Sequence, residues 1–157
     1  MTDGLVLELK ILDPRIREWG LPSYQSAMAA GIDLFACIEA PVALEPQAPA
    51  VMVSAGIAIL INRPDVAAFV LARSGLGARQ GIVLGQSVGT IDPDYAGPWM
   101  VPLINRNAPG TPPVTIRPGD RIAQAVFVPI LRPQFRVVEA FSSTTERGAG
   151  GFGSTGG

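Results

Sequence analysis

Two aspartates and a tyrosine lie between glycines in GTIDPDYAG, residues 89–97, and their side chains are suited to acting on a substrate. The chain contains no histidine, which excludes a Ser–His dyad, an imidazole base and a histidine-ligated metal. An aspartate, here Asp92 or Asp94, is then the best remaining group to orient and deprotonate a water molecule. The ring of Tyr95 is available to pack on a flat ligand. The alternative is a structural turn whose carboxylates accept hydrogen bonds from backbone N–H groups.

A second stretch, ARSGLG at residues 72–77, places an arginine, a hydroxyl and a glycine directly after an apolar run. Arg73, Ser74 and Gly75 would together form a compact phosphate cradle, and the alternative is a capped loop with a solvated arginine. The single lysine, Lys10, lies in a strand-like stretch, so a P-loop is excluded. A hard cation such as magnesium, held mostly by substrate phosphates, is the cofactor most compatible with these residue types.

Two charged residues interrupt apolar stretches and are expected to be buried: Asp33 in AGIDLFA (30–36) and Arg121 in RPGDRIAQAVF (117–127). Because a buried charge is costly unless it is paired, the two are predicted to form an ion pair. That pair would be either a structural bridge or a support for a site. Gln124, on the same predicted strand as Arg121, is either polar filler in the core or a ligand contact.

The chain ends in RGAGGFGSTGG, residues 147–157, a glycine-rich stretch that includes a literal G-x-G-x-x-G from Gly148 to Gly153. A dinucleotide-binding reading fails, because that motif needs a strand before it and a helix after it. Two readings remain open: a disordered terminus, or a functional segment that uses the guanidinium of Arg147 and the ring of Phe152.

Composition limits the class of protein. The 157 residues fit one domain, and a net charge of −1 gives no electrostatic case for binding a nucleic acid polymer. No apolar run approaches the ~18 residues of a membrane span, and the N-terminus lacks a basic n-region, so we expect a soluble, unprocessed protein. The single cysteine, Cys37, rules out an internal disulfide and fits a reducing cytoplasm. It is predicted to be a small core residue.

Apolar alternation and frequent Pro and Gly residues predict many short strands. We therefore expect an all-β domain, either a sandwich, a barrel or a jelly roll. A short helical turn capped by Ser74 is predicted at SGLGARQ. The predicted strands are residues 5–12, 51–61, 66–72, 81–85, 100–105, 114–116, 121–130 and 135–141, with a hairpin loop between the fourth and the fifth.

Read in order, AGIDLFA, ARSGLG, GTIDPDYAG, RPGDRIAQAVF and RGAGGFGSTGG resemble the five motifs of the trimeric dUTPases. The resemblance covers essentially the whole chain. It implies a distorted jelly roll of the β-clip type over residues 1–141, followed by a flexible glycine-rich arm over 142–157. It also implies a homotrimer with three shared active sites and Mg²⁺-dependent hydrolysis of dUTP to dUMP and pyrophosphate. Such a reaction limits uracil incorporation into DNA and supplies dUMP for dTMP synthesis.

The resemblance also assigns roles to residues. Asp92 would hold the attacking water, and Asp33 would support the metal through water, with no direct protein ligand. Tyr95 would pack on the deoxyribose and exclude a 2′-hydroxyl. The phosphates would be bound by Arg73, Ser74, Gly75 and Gln124. The uracil would lie in a slot lined by Gln86, Thr90, Ile91 and Met100. From the arm, Phe152 would stack on uracil, and the γ-phosphate and its neighbours would be reached by Arg147, Gly153, Ser154 and Thr155.

Departures from the family pattern are Gln86, where asparagine is frequent, Pro93 in the catalytic loop, Ala96 after the tyrosine, and a longer loop at 107–113. None removes a reacting group. Two other functions are considered: a dCTP deaminase, and a nucleotide-binding trimer without activity that signals to a protein partner. The first would need a glutamate base, and no glutamate occurs between Asp65 and Glu139.

Overall fold

A computed structural model describes residues 4–150 of the chain. Within that range the expected all-β class is confirmed: eleven short strands accompany two short helices. The first part of the chain contains β1 Glu8–Ile11, α1 Ile16–Trp19, β2 Ile32–Phe35, β3 Val42–Leu44, β4 Val51–Ser54 and β5 Ile57–Leu60. The remainder contains β6 Val66–Ala72, α2 Ser74–Gln80, β7 Ile82–Leu84, β8 Val88–Ile91, β9 Met100–Asn105, β10 Val114–Ile116 and β11 Arg121–Pro129.

The strands form antiparallel sheets of low strand number. The four-stranded sheet has the order β2-β11-β6-β8, and a three-stranded sheet has the order β4-β9-β7. Two further pairs are β1 with β5 and β3 with β10. Because β11 lies between β2 and β6, segments far apart in sequence meet at one end of the larger sheet, and that end carries the polar side chains described below.

Side-chain alternation along the strands places the apolar core. In β9, Val101, Leu103 and Asn105 are buried while the residues between them are not. The Asn105 side chain satisfies its buried polar atoms: Nδ2 donates to the Leu44 carbonyl at 2.9 Å, and Oδ1 accepts the Asn107 N–H at 3.0 Å. Cys37 is buried in the core as expected, and its burial raises the pKa of the thiol.

The expectation of a single strand over 51–61 is wrong, because the backbone turns at Gly56 and divides this segment into β4 and β5. Gly56 has φ +70°, a value that side chains other than glycine rarely adopt. A Cβ there would also lie 2.6 Å from Cys37 Sγ. The Gly56 carbonyl accepts the N–H groups of Leu12 and Asp13, so this turn ties the end of β1 to β5.

Two other expectations are corrected. Residues 135–141 form no strand in this chain, since no strand within residues 4–150 offers their backbone a partner; Phe135, Val137 and Phe141 are each at least nine-tenths exposed. β7 and β9 pair with each other, as the expected hairpin requires, but the segment that connects them is not a simple loop. It contains β8, which pairs with β6 in the other sheet after a turn at Ser87 with φ +68°. In the described part of the chain, neither helix has the length and apolarity needed to cross a membrane.

Candidate active site

A buried carboxylate organises one end of the four-stranded sheet. Asp33 on β2 is only 7% exposed, and its oxygens contact two arginines. Oδ1 lies 2.9 Å from Arg73 Nε, and Oδ2 lies 3.3 Å from Arg121 Nη1. The predicted contact between Asp33 and Arg121 is therefore present. The closer contact, with Arg73, was not predicted, because it depends on β11 separating β2 from β6.

The expected burial of Arg121 is wrong, since its side chain is 47% exposed. It is the first residue of β11, at the end of the strand where the register beside β2 shifts between Arg121 and Ala123. One cation of the cluster thus remains open to solvent while its counter-ion is buried. Because an anion can approach such a guanidinium without first displacing its partner, this arrangement suits ligand binding as well as structure.

A pocket of about 330 Å³ lies over this cluster. It brings together residues from three of the five motifs and from the loop before β2. Gly31 packs so closely on β11 that a Cβ would lie 3.0 Å from the Ala125 carbonyl, which explains the glycine at that position. The polar residues that line the pocket are Gln25, Asp33, Arg73, Ser74, Arg121 and Gln124. Gln25 was missed, since its surroundings carry no recognisable pattern.

The start of α2 differs in one detail from the expectation. Arg73, with extended backbone angles of φ −77° and ψ 131°, occupies the N-cap position and makes no side-chain capping bond. Ser74 is therefore the first residue of the helix rather than its cap, and it is exposed at the pocket together with Gly75. Gln124 donates from Nε2 to the Ala72 carbonyl at 3.4 Å, which holds its side chain beside the end of β6.

The loop after β8 carries the candidate base. The Tyr95 N–H donates to the Asp92 carbonyl at 3.1 Å, and the Tyr95 hydroxyl donates to the Pro98 carbonyl at 2.9 Å. The tyrosine ring lies against Gly97, where a Cβ would come within 2.6 Å of the hydroxyl oxygen. The loop is therefore compact, with Tyr95 and Asp92 both exposed. Of the expected uracil contacts, Gln86, Thr90 and Met100 are exposed, and Ile91 is half-buried.

Within a single chain, the loop that carries Asp92 lies far from the phosphate pocket that contains Arg73. In the pairing of β6 with β8, Ile91 lies opposite Ala68, five residues before Arg73. At about 3.3 Å per strand residue, this separates the two ends by roughly 16 Å. Asp92 lines a different pocket, of about 470 Å³, together with Arg63, Asp94 and other residues. The candidate base and the candidate phosphate site therefore lie at opposite ends of the sheet.

The arm is described in part. Arg147 is exposed, and its Nε donates to the Gly150 carbonyl at 2.8 Å, in a turn that contains Gly148 with φ +51°. The guanidinium is thus bonded to its own segment and does not reach the phosphate pocket. The other arm residues expected at the site, Phe152, Gly153, Ser154 and Thr155, lie outside the described residues.

Comparison with known proteins decides the family. The sequence profile of the dUTPase family matches residues 17–156. This chain belongs to the dUTPase family. The resemblance found in its five motifs is confirmed, and as a dUTPase family member the chain is a hydrolase of nucleotide metabolism.

Relatives align with this dUTPase family member along nearly its whole length. The deoxyuridine 5'-triphosphate nucleotidohydrolase of Coxiella burnetii is 54% identical over 151 residues, covering 96% of each chain. That of Xanthomonas campestris pv. campestris is 50% identical with the same coverage. Among solved structures, the dUTPase of Staphylococcus bacteriophage 80alpha with dUPNHPP superposes with a TM-score of 0.81 at 27% identity, covering 96% of this chain and 98% of the other. A dUTPase from phage phi11 of S. aureus, described with a structural Mg(II) ion, shares the fold with a TM-score of 0.73 at 24% identity.

Proposed function

We propose that the chain hydrolyses dUTP to dUMP and pyrophosphate, the reaction that the names of its bacterial relatives state for them. The observation that carries this proposal is the pocket in which buried Asp33 holds Arg73 and Arg121 beside exposed Ser74 and Gly75. Removal of dUTP would limit uracil incorporation into DNA, and the dUMP formed would supply dTMP synthesis. The proposed architecture is a distorted jelly roll of the β-clip type over residues 1–141, followed by an arm over 142–157.

The phosphate end of the substrate is assigned to this pocket. Asp33 uses Nε of Arg73 and Nη1 of Arg121, so each guanidinium keeps further N–H groups for phosphate oxygens. Ser74 and Gly75 add a hydroxyl and close backbone approach, and Gln124 adds an amide. Phosphoryl transfer requires mainly positioning and charge neutralisation, which these donors supply.

Magnesium fits this donor set through water rather than by direct ligation. Both oxygens of Asp33 already face arginines, and each keeps a lone pair that can accept a hydrogen bond from a metal-bound water. Within residues 4–150, no group of three or more histidine, cysteine, aspartate or glutamate side chains is placed to hold a metal. Bound with the triphosphate, Mg²⁺ supplies neutralisation of phosphate charge. Phosphate oxygens would be its main ligands besides water.

The nucleoside end is assigned to the loop after β8. Asp92 would orient a water toward the α-phosphorus and accept its proton. The Tyr95 ring, fixed by its bond to the Pro98 carbonyl, would lie against the deoxyribose and leave no room for a 2′-hydroxyl. The uracil would be read beside it by Gln86, Thr90, Ile91 and Met100.

A homotrimer with shared sites is proposed because Asp92 and Arg73 lie at opposite ends of one chain's sheet. A second copy would bring its Asp92 to the first copy's phosphate pocket. The exposed apolar segment with Phe135, Val137 and Phe141 supports association, since such side chains are normally covered. The arm would close over the site, with Phe152 on uracil and the phosphates contacted by Arg147, Gly153, Ser154 and Thr155.

Incubation of the purified protein with dUTP, dCTP, dTTP and UTP in the presence of Mg²⁺ tests the reaction, with products separated by chromatography. The expected result is dUMP and pyrophosphate from dUTP, with the other nucleotides turned over at least 100-fold more slowly. Asp92→Asn protein, prepared identically, controls for contaminating phosphatases and is expected to be inactive. Release of ammonia from dCTP, or no turnover of any nucleotide, would contradict the proposal.

A further inference from the structure

A second pocket, of about 500 Å³, adjoins the phosphate pocket. Arg73, Gly75 and Arg121 line both, so the two form one continuous surface around the first turn of α2. The second pocket adds Arg79, near the end of α2, and Asp120, from the turn before β11. None of the roles given above uses Arg79.

The charges around this second pocket are unbalanced. Three arginines, at positions 73, 79 and 121, face one carboxylate, Asp120. That carboxylate is partly used, because its Oδ2 accepts the Arg117 N–H at 2.7 Å. Two of the arginines share Asp33, whereas Arg79 forms no ion pair within residues 4–150. An anion entering the pocket would therefore meet an excess of positive charge, including an Arg79 guanidinium that forms no ion pair among the described residues.

Helix geometry directs Arg79 toward the phosphates. Arg79 follows Gly75 by four residues, so the two lie on the same face of α2, one turn apart. Helical side chains lean toward the N-terminus of their helix, so the Arg79 side chain extends in the direction of Gly75, which lines the same pocket. A Cβ at Gly75 would have no neighbour within 4 Å, so the space between Arg79 and the phosphate pocket is open.

We propose that Arg79, with Arg73 and Arg121, forms an anion subsite for phosphoryl groups beyond the α-phosphate. The ligand chemistry is a diphosphate, either carried by the nucleotide or free as the pyrophosphate product. This inference rests on the proposed function for the identity of its ligand. dUMP has a single phosphate, which the first pocket accommodates, so the subsite contributes nothing to its binding.

Calorimetric titration of Arg79→Gln with inorganic pyrophosphate tests the subsite without requiring turnover. The dissociation constant for pyrophosphate is expected to rise about five- to twentyfold, the range of one lost charge-assisted contact. The dissociation constant for dUMP is expected to stay within twofold of the parent value. Arg17→Gln, an exposed arginine in α1 outside both pockets, is the matched control and should leave both constants unchanged.

Two outcomes would overturn the subsite: no pyrophosphate binding by the parent protein, or equal changes for pyrophosphate and dUMP in Arg79→Gln. An equal change would mean that Arg79 stabilises α2 in general, for example by its charge near the negative C-terminal end of the helix dipole, and does not contact the diphosphate.

The KM for dUTP shows whether the diphosphate that occupies the subsite belongs to the bound nucleotide or to the released product. A KM that rises with the pyrophosphate constant assigns the subsite to the bound nucleotide, and an unchanged KM assigns it to the released product. Pyrophosphate binding without dUTP turnover would reject the proposed function while keeping the subsite.

Discussion

At the scale of single residues, Asp33 explains why two arginines remain fixed at the end of the sheet. A carboxylate that is 7% exposed requires partners, and both of its oxygens have one. The arginines are less buried, with side chains 30% and 47% exposed, so solvent still screens part of the interaction. Asp33 therefore acts as an anchor that orients two cations toward the pocket.

Replacing Asp33 by asparagine tests that anchor. The side chain keeps its shape, but the two charge-assisted contacts of a buried carboxylate are lost, so the free energy of unfolding is expected to fall by about 2 kcal/mol. Denaturant titration measures the loss. Asp65→Asn is the matched control, because its ion pair with Arg63 joins side chains that are 53% and 59% exposed. A much smaller change is expected there. Equal losses in both variants would contradict the anchoring role.

Sequence patterns predicted one of the two contacts that Asp33 makes with arginines. The contact with Arg121 followed from two charges in apolar stretches, because burial requires pairing. Arg73 was predicted to bind phosphate, without a contact to Asp33, since their meeting depends on the order β2-β11-β6, which no local pattern encodes. The same limit explains Gln25, which lies at the pocket only because of how its loop packs.

At the scale of elements, a short turn joins β1 to α1. The Asp13 Oδ1 accepts the Arg15 N–H and the Arg15 Nε–H, each at 3.0 Å. The Asp13 N–H in turn donates to the Gly56 carbonyl, so the turn is linked to β5. These bonds from Arg15 favour the ionised carboxylate and lower the pKa of Asp13 from 3.8 to about 2.

The lowered pKa of Asp13 predicts a pH dependence of stability. Because the folded state holds the proton less tightly than the unfolded state, the contribution is fully present above about pH 4 and is lost as the pH falls toward 2. Asp13→Asn should therefore be less stable than the parent at pH 6, with the difference shrinking between pH 4 and pH 2. Urea titrations across that range measure it. Arg15→Gln should reduce the same dependence, because it removes the side-chain bonds to Asp13 and keeps the backbone N–H bond. A difference that stays constant with pH would contradict the assignment.

Most elements could be predicted from alternation, and the failures have physical causes. β6 was predicted with its observed bounds, whereas the strand expected over 51–61 breaks at Gly56, where Cys37 leaves no room for a side chain. Residues 135–141 have the alternation of a strand, but a strand also needs an edge to pair with. Sequence reports the local pattern and cannot report where that edge lies.

At the scale of the whole molecule, the separation of Asp92 from Arg73 determines how the site would be assembled. The two residues lie at opposite ends of the β6–β8 pairing, roughly 16 Å or more apart along the strands. A site that needs both must therefore take one from each of two copies. In the proposed homotrimer, each copy would give its phosphate pocket to one site and its Asp92 loop to another.

Mixing two inactive variants tests the shared site. Asp92→Asn and Arg73→Gln proteins are each expected to be inactive, because one lacks the base and the other a phosphate donor. In trimers reassembled from an equal mixture, a site is intact when its pocket comes from an Asp92→Asn copy and its loop from an Arg73→Gln copy. Random assembly makes about one quarter of the sites intact, so about one quarter of the parent rate of dUTP hydrolysis should return. A control mixture combines Asp92→Asn protein with protein that carries both Asp92→Asn and Arg73→Gln. It should stay inactive, since no copy then carries Asp92. If both residues act within one copy, no mixture regains activity, and the three sites are not shared.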